Sequence, residues 1–182
     1  METDRIARPN APSPFSDSIE VEVTDNQAHL RVDAREIEDL ARRVLEHHGV
    51  THASLSIALV DDATIHAINR RHLAHDWPTD VITFTLSEPG EPELAGELVV
   101  SAEMAAATAK QVGVEPLSEL ALYVVHGVLH LCGFDDQSPD AAASMRRAEA
   151  DALAIEGLVN TFPLIGVAQP GDEGREMMRW SR

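Results

Sequence analysis

From Leu117 to Cys132 the chain reads LSELALYVVHGVLHLC. Nearly every position is apolar, so a helix built from it has no face to leave in water and must be enclosed by other layers of the fold. The run is too short to span a bilayer, which takes ~20 residues. Pro116 suits the first turn of such a helix, where its missing N–H costs nothing. Gly133 is placed to end it in a left-handed conformation.

The neighbouring segments supply those layers. Ser18 to Thr24 alternates apolar and polar residues, the period of a half-buried strand. Ala28 to Val32 is expected to add a short second strand. Asp33 caps a helix carrying Ile37, Leu40, Ala41 and Val44 inward, and Gly49 ends it. Ala53 to Val60 is the next strand, after which Asp61 or Asp62 caps a helix with Ile65 and Ile68 inward. Asp80 to Leu86 and Leu94 to Ser101 are strands able to pair as a hairpin across the acidic turn SEPGEPE. Further helices are expected from Ala102 to Gln111 and from Pro139 to Ile155. Strands interleaved with helices predict an α/β (α+β) fold, a single small mixed sheet packed with about five helices. Residues 1–17 are polar and Pro-rich and read as a disordered lead-in, 18–160 as one domain, and 161–182 as a flexible tail.

The buried helix carries His126 and His130 one turn apart, so both imidazoles project from one face and can grip one ion. Glu119 and Tyr123 share that stripe. Imidazoles enclosed by apolar residues need partners, because an unpaired buried polar group costs a few kcal/mol. Asp136 follows the Gly133 turn as a candidate third ligand, with Asp135 beside it as the alternative. Two imidazoles and a carboxylate are a usual ligand set for catalytic zinc, with a fourth position left for water. Zinc lowers the pKa of bound water to roughly 7 and polarises a phosphoryl oxygen, both of which phosphodiester hydrolysis needs. The metalloprotease pattern H-E-x-x-H requires a glutamate after the first histidine. Here that residue is Gly127, which argues against a peptidase and is expected to leave space for a substrate beside the metal.

Composition bears on partners and compartment. The formal net charge of -17 repels phosphate backbones at long range. Much of that acidity is assigned to the run EPGEPELAGE, the C-terminal GDEGRE, and the segment around Glu149 and Asp151. Arg70, Arg71, His66, His72 and His75 form a local positive group. Cys132 is the sole cysteine, which excludes an intrachain disulfide and fits a reducing, cytoplasmic location. It is expected to be an inert packed thiol. No signal peptide or membrane anchor is read in the sequence.

The run H-G-V-L-H-L-C-G-F-D-D from His126 to Asp136 resembles the motif H-G-x-L-H-L-x-G-[YF]-D-H of the YbeY family of bacterial rRNA maturation factors. Upstream, Asn69, His75, Asp76, Pro78, Thr79, Asp80, Val81 and Phe84 resemble the family's N-x-x-x-R-x-x-x-x-P-T-[DN]-V-L-S-F segment. Gly96 to Ser101 resembles its G-D-I-x-I-S strand. The resemblance implies a zinc-dependent, single-strand-specific endoribonuclease acting in rRNA 3′-end maturation and ribosome quality control. It implies one Zn2+ held by His126, His130 and Asp136, an RNA groove between Asn69 and Phe84, and a ribosome or small-subunit protein as partner. Two departures stand out. Asp136 replaces the family's third histidine, and an extra negative ligand makes a bound water less acidic. Leu73 takes the place of the family's arginine, for which Arg71, with Arg70 beside it, is the expected substitute. The alternative is a metal-stabilised, ribosome-associated factor without catalysis, which Leu73 and the acidic surface favour.

Overall fold

A computed structural model of the protein describes residues 18–72, 79–88 and 90–155. In chain order it contains β1 (Ser18–Asp25), α1 (Ala34–His47), β2 (His52–Val60), α2 (Asp62–His72), β3 (Val81–Thr85), β4 (Leu94–Ser101), α3 (Ala102–Val112), α4 (Pro116–Leu131) and α5 (Pro139–Leu153). The expected lead-in and tail, and the positions Leu73, His75, Asp76 and Pro78, lie outside the described residues.

The four strands form one mixed sheet in the order β1-β2-β4-β3. β1, β2 and β4 run parallel, and β3 returns antiparallel to β4 as the expected hairpin, with Thr83 opposite Leu98. Successive side chains of a strand face opposite sides. On β4, Leu98 and Val100 join the large core beneath α1, α3, α4 and α5, while Val99 joins a small cluster with Val60, Ile82 and Ile65 of α2. The sheet therefore has one thickly covered face, where α4 lies, and one face that α2 covers only in part.

Local chemistry sets the boundaries. Asp33 accepts from Arg35 N and Ser101 from Met104 N, capping α1 and α3. At α2 the cap is Asp61, which accepts from Thr64 N at 2.8 Å, whereas Asp62 receives the Ser101 hydroxyl. The strand expected over Ala28 to Val32 does not form. Gln27 replaces it: its Oε1 accepts from His29 N and Leu30 N, and its Nε2 donates to Leu30 O at 2.8 Å. One amide side chain thus satisfies backbone groups that a strand would have needed a neighbour to satisfy. Leu30 and Val32 still pack against the core.

α4 is buried along almost its whole length, as its sequence demands. At Gly127 it approaches the sheet closely. A Cβ there would lie 2.9 Å from Leu98 Cδ2 and 3.1 Å from Val81 Cγ2. The glycine expected to open space for a substrate instead lets the helix settle onto β3 and β4.

Candidate metal centre

The C-terminal half of α4 and the turn that follows it bring three side chains together. Gly133 has a φ of 91°, the left-handed region that favours glycine. With it, Phe134 N reaches back to Leu129 O at 3.0 Å, a Schellman-type closure. That turn places the Phe134 carbonyl 3.0 Å from His130 Nδ1. Asp135 accepts from Asp136 N and Gln137 N. The two adjacent carboxylates thereby divide their work: Asp135 holds the turn, and Asp136 is directed at the imidazoles.

His126 Nε2 and His130 Nε2 lie 3.0 Å apart, and Asp136 Oδ2 is 3.8 Å from His126 Nε2. Oxygen and nitrogen atoms of these three residues all fall within 4.8 Å of one another. His126 is buried, His130 half-buried and Asp136 exposed, so the site opens to solvent on the Asp136 side.

The remaining ring nitrogens decide what the site can hold. His126 Nδ1 lies 2.7 Å from Glu149 Oε1, and both side chains are buried. An ionised carboxylate and a carbonyl can only accept, so Glu149 and Phe134 assign the protons to Nδ1 of both rings. Two neutral imidazoles then have none left for Nε2, and two lone pairs face each other at 3.0 Å. A positive charge between them, either a proton or a cation shared with Asp136, resolves that arrangement. The donor set fits a divalent metal. In the absence of metal, burial works against a charged His126. The Glu149 hydrogen bond and charge, with Asp80 and Asp136 behind them, outweigh it and raise the imidazole's pKa above the ordinary value.

Residues 22–156 match the family described as endoribonuclease YbeY. The chain belongs to the YbeY family. The endoribonuclease YbeY of Rhodopirellula baltica is 50% identical over 113 residues, which cover 60% of this chain and 57% of that relative, little more than half its length. The endoribonuclease YbeY of Anaeromyxobacter dehalogenans is 38% identical over 150 residues, covering 82% of this chain and 77% of its own length. A Thermotoga maritima protein solved in solution shares the fold, with a TM-score of 0.55 and 21% identity over 82% of this chain and 100% of its own.

In this YbeY-family chain the structure brings His126, His130 and Asp136 together and leaves Arg71 apart. Arg71 is exposed in the last turn of α2, the helix on the opposite face of the sheet from α4. The position of Leu73 lies outside the described residues. Glu149, in a segment whose acidity points to solvent, is a buried partner of a candidate ligand. A signal for it was present: Met145, Ala148, Glu149 and Ala152 share one stripe of α5, and that stripe is the buried one. Asp80 is a second residue that the residue pattern alone did not single out. It accepts from Thr79 and from Val81 N at the start of β3, and its charge acts on His126.

Proposed function

We propose that this protein is a zinc-dependent endoribonuclease that cuts single-stranded RNA in the maturation of rRNA 3′ ends, working in the cytoplasm on ribosomal precursors. The observation that carries the reading is the pair of Nε2 atoms facing each other at 3.0 Å with the Asp136 carboxylate beside them. Membership of the YbeY family, whose relatives bear the name endoribonuclease, supports RNA as substrate and favours an enzyme over a purely structural ribosome factor.

His126, His130 and Asp136 would hold the ion. When bound, it supplies Lewis acidity toward a phosphoryl oxygen and makes water nucleophilic near neutral pH. The chain does the rest. Glu149 and the Phe134 carbonyl hold both imidazole rings in place, which fixes the site before substrate arrives. The open, Asp136 side admits a polymer, and the buried α4 side excludes bulk water from behind. Gly127 offers no general base, since its face is filled by Leu98 and Val81, so peptide hydrolysis of the H-E-x-x-H kind has no residue to run it. Arg71, exposed at the end of α2 on the other face of the sheet from α4, is too far from the three side chains to act on the cut phosphate and is assigned to the RNA backbone away from it. No helix among the described residues is long and apolar enough to cross a membrane.

The test is cleavage of a single-stranded RNA by purified protein. Activity should disappear on chelation, return with added zinc, and be absent from His126→Ala. Cleavage that persists both after chelation and in that variant overturns the reading. Binding of the protein to ribosomal particles, measured in parallel, addresses the proposed partner.

A further inference from the structure

We propose that Glu149 is the positioning residue of this centre: its buried carboxylate holds the Nδ1–H of His126 and so selects Nε2 as the ligand atom. The proposal rests on the reading that His126, His130 and Asp136 hold a cation.

Two buried polar groups meet here across consecutive helices, α4 and α5. His126 is 6% exposed and Glu149 5%. Their contact is 2.7 Å, the length of a charge-assisted hydrogen bond. Around Glu149 the α5 face is Met145, Ala148, Ala152 and Leu153, all buried. Nothing in that packing calls for a charge, and a carboxylate in such a place is costly unless it is bonded. What it does there is act on the imidazole. It keeps the ring from flipping, fixes its tautomer, and makes Nε2 a stronger donor to a metal.

The second imidazole provides an internal contrast. His130 Nδ1 is held by a backbone carbonyl, that of Phe134, which is neutral and belongs to the helix's own turn. The two ligands are therefore oriented by different means. Removing the Glu149 carboxylate should disturb His126 and leave His130 as it was, which general loosening of the protein would not do.

The experiment compares the full chain with Glu149→Gln, Glu149→Ala and His126→Ala. Zinc affinity is read by titration against a competing chelator. Imidazole tautomers are read in zinc-free protein by two-bond 15N–1H correlation in alkaline buffer, where the rings are neutral. Glu149→Ala should weaken zinc binding about 10- to 100-fold. It should also turn the His126 signals into a mixture of tautomers while His130 keeps its Nδ1–H pattern. Glu149→Gln keeps the volume and an accepting oxygen but not the charge, so it should fall between wild type and Glu149→Ala in affinity and retain the His126 tautomer. Should Glu149→Ala not fold, Glu149→Gln decides: an affinity equal to wild type overturns the proposal, as does an unchanged His126 signature in a folded Glu149→Ala. If wild type binds zinc no better than His126→Ala, the metal reading fails instead, and the zinc-free spectra still decide whether Glu149 orients His126.

Discussion

The Nε2 atoms of His126 and His130 face each other at 3.0 Å while both Nδ1 atoms are occupied by groups that only accept. The centre is therefore set for a cation before one arrives. His126→Ala and His130→Ala should each weaken zinc binding by more than about 100-fold, since loss of an outer partner alone can reach that figure. Asp136→His should keep the metal while removing one negative charge. The acid limb of its pH–rate profile is then expected at lower pH than in wild type. An unshifted limb would mean that Asp136 does not bear on the ion.

Arg71→Ala should raise KM for RNA a few-fold and leave kcat unchanged. The slope of log affinity against log salt should shrink by about one phosphate contact, roughly 0.7 for a single strand. A fall in kcat of tenfold or more would move Arg71 to the reacting phosphate.

Gly127→Ala sets two effects against each other. Alanine gains about 1 kcal/mol in an exposed helix, but here its Cβ lands 2.9 Å from a Leu98 methyl in a packed core. Overpacking costs about 1–3 kcal/mol, so a net loss of about 1 kcal/mol is expected in denaturant melts. Leu98→Ala in the same chain should remove the clash and make the glycine substitution less costly than it is alone.

Burial pushes the Cys132 thiol up to about 11. At pH 8 only about one thiol in a thousand is then the reactive thiolate. Iodoacetamide should label the folded protein far more slowly than the unfolded chain. Cys132→Ala should bind zinc as wild type does, because no cysteine belongs to the candidate ligand group.

His48 Nε2 is buried with no hydrogen-bond partner among the described residues, and its ring meets Phe134 edge-on at 5.2 Å. Burial, and then the neighbouring His47, lower its pKa below 6.5. For a base so depressed, the contribution to stability is complete above about 6.5 and is lost as pH falls toward the folded value. Thermal melts of the metal-free protein should therefore weaken below pH 6.5, and His48→Phe should flatten that decline. An identical acid slope in the variant would assign the loss to other groups.

Much of the fold was legible because its signals are local. The two-residue alternation of β1, the apolar girdle of α4 and the caps Asp33 and Gly133 each act within a few residues. The grouping of the candidate ligands was legible for the same reason, since His126 and His130 lie one turn apart and Gly133 returns the chain. Ala28 to Val32 was misread because an apolar run satisfies its backbone through Gln27 rather than a neighbouring strand. The role of Glu149 was hidden because it depends on α5 docking against α4, a long-range contact that a charged residue in an acidic segment does not advertise. Gly127 was read from the metal's side, while the space it leaves is taken by Leu98.

α5 is tied to α4 from two sides of one imidazole. Asp136 sits just before it and Glu149 lies within it, and both reach toward His126. An ion that occupies the centre would brace that connection as well as arm it, adding about 2.7 kcal/mol at a free concentration a hundredfold above its dissociation constant. Nutritional scarcity of the ion would then thin out the polypeptide through proteolysis, and shortage would be felt in abundance as well as in turnover.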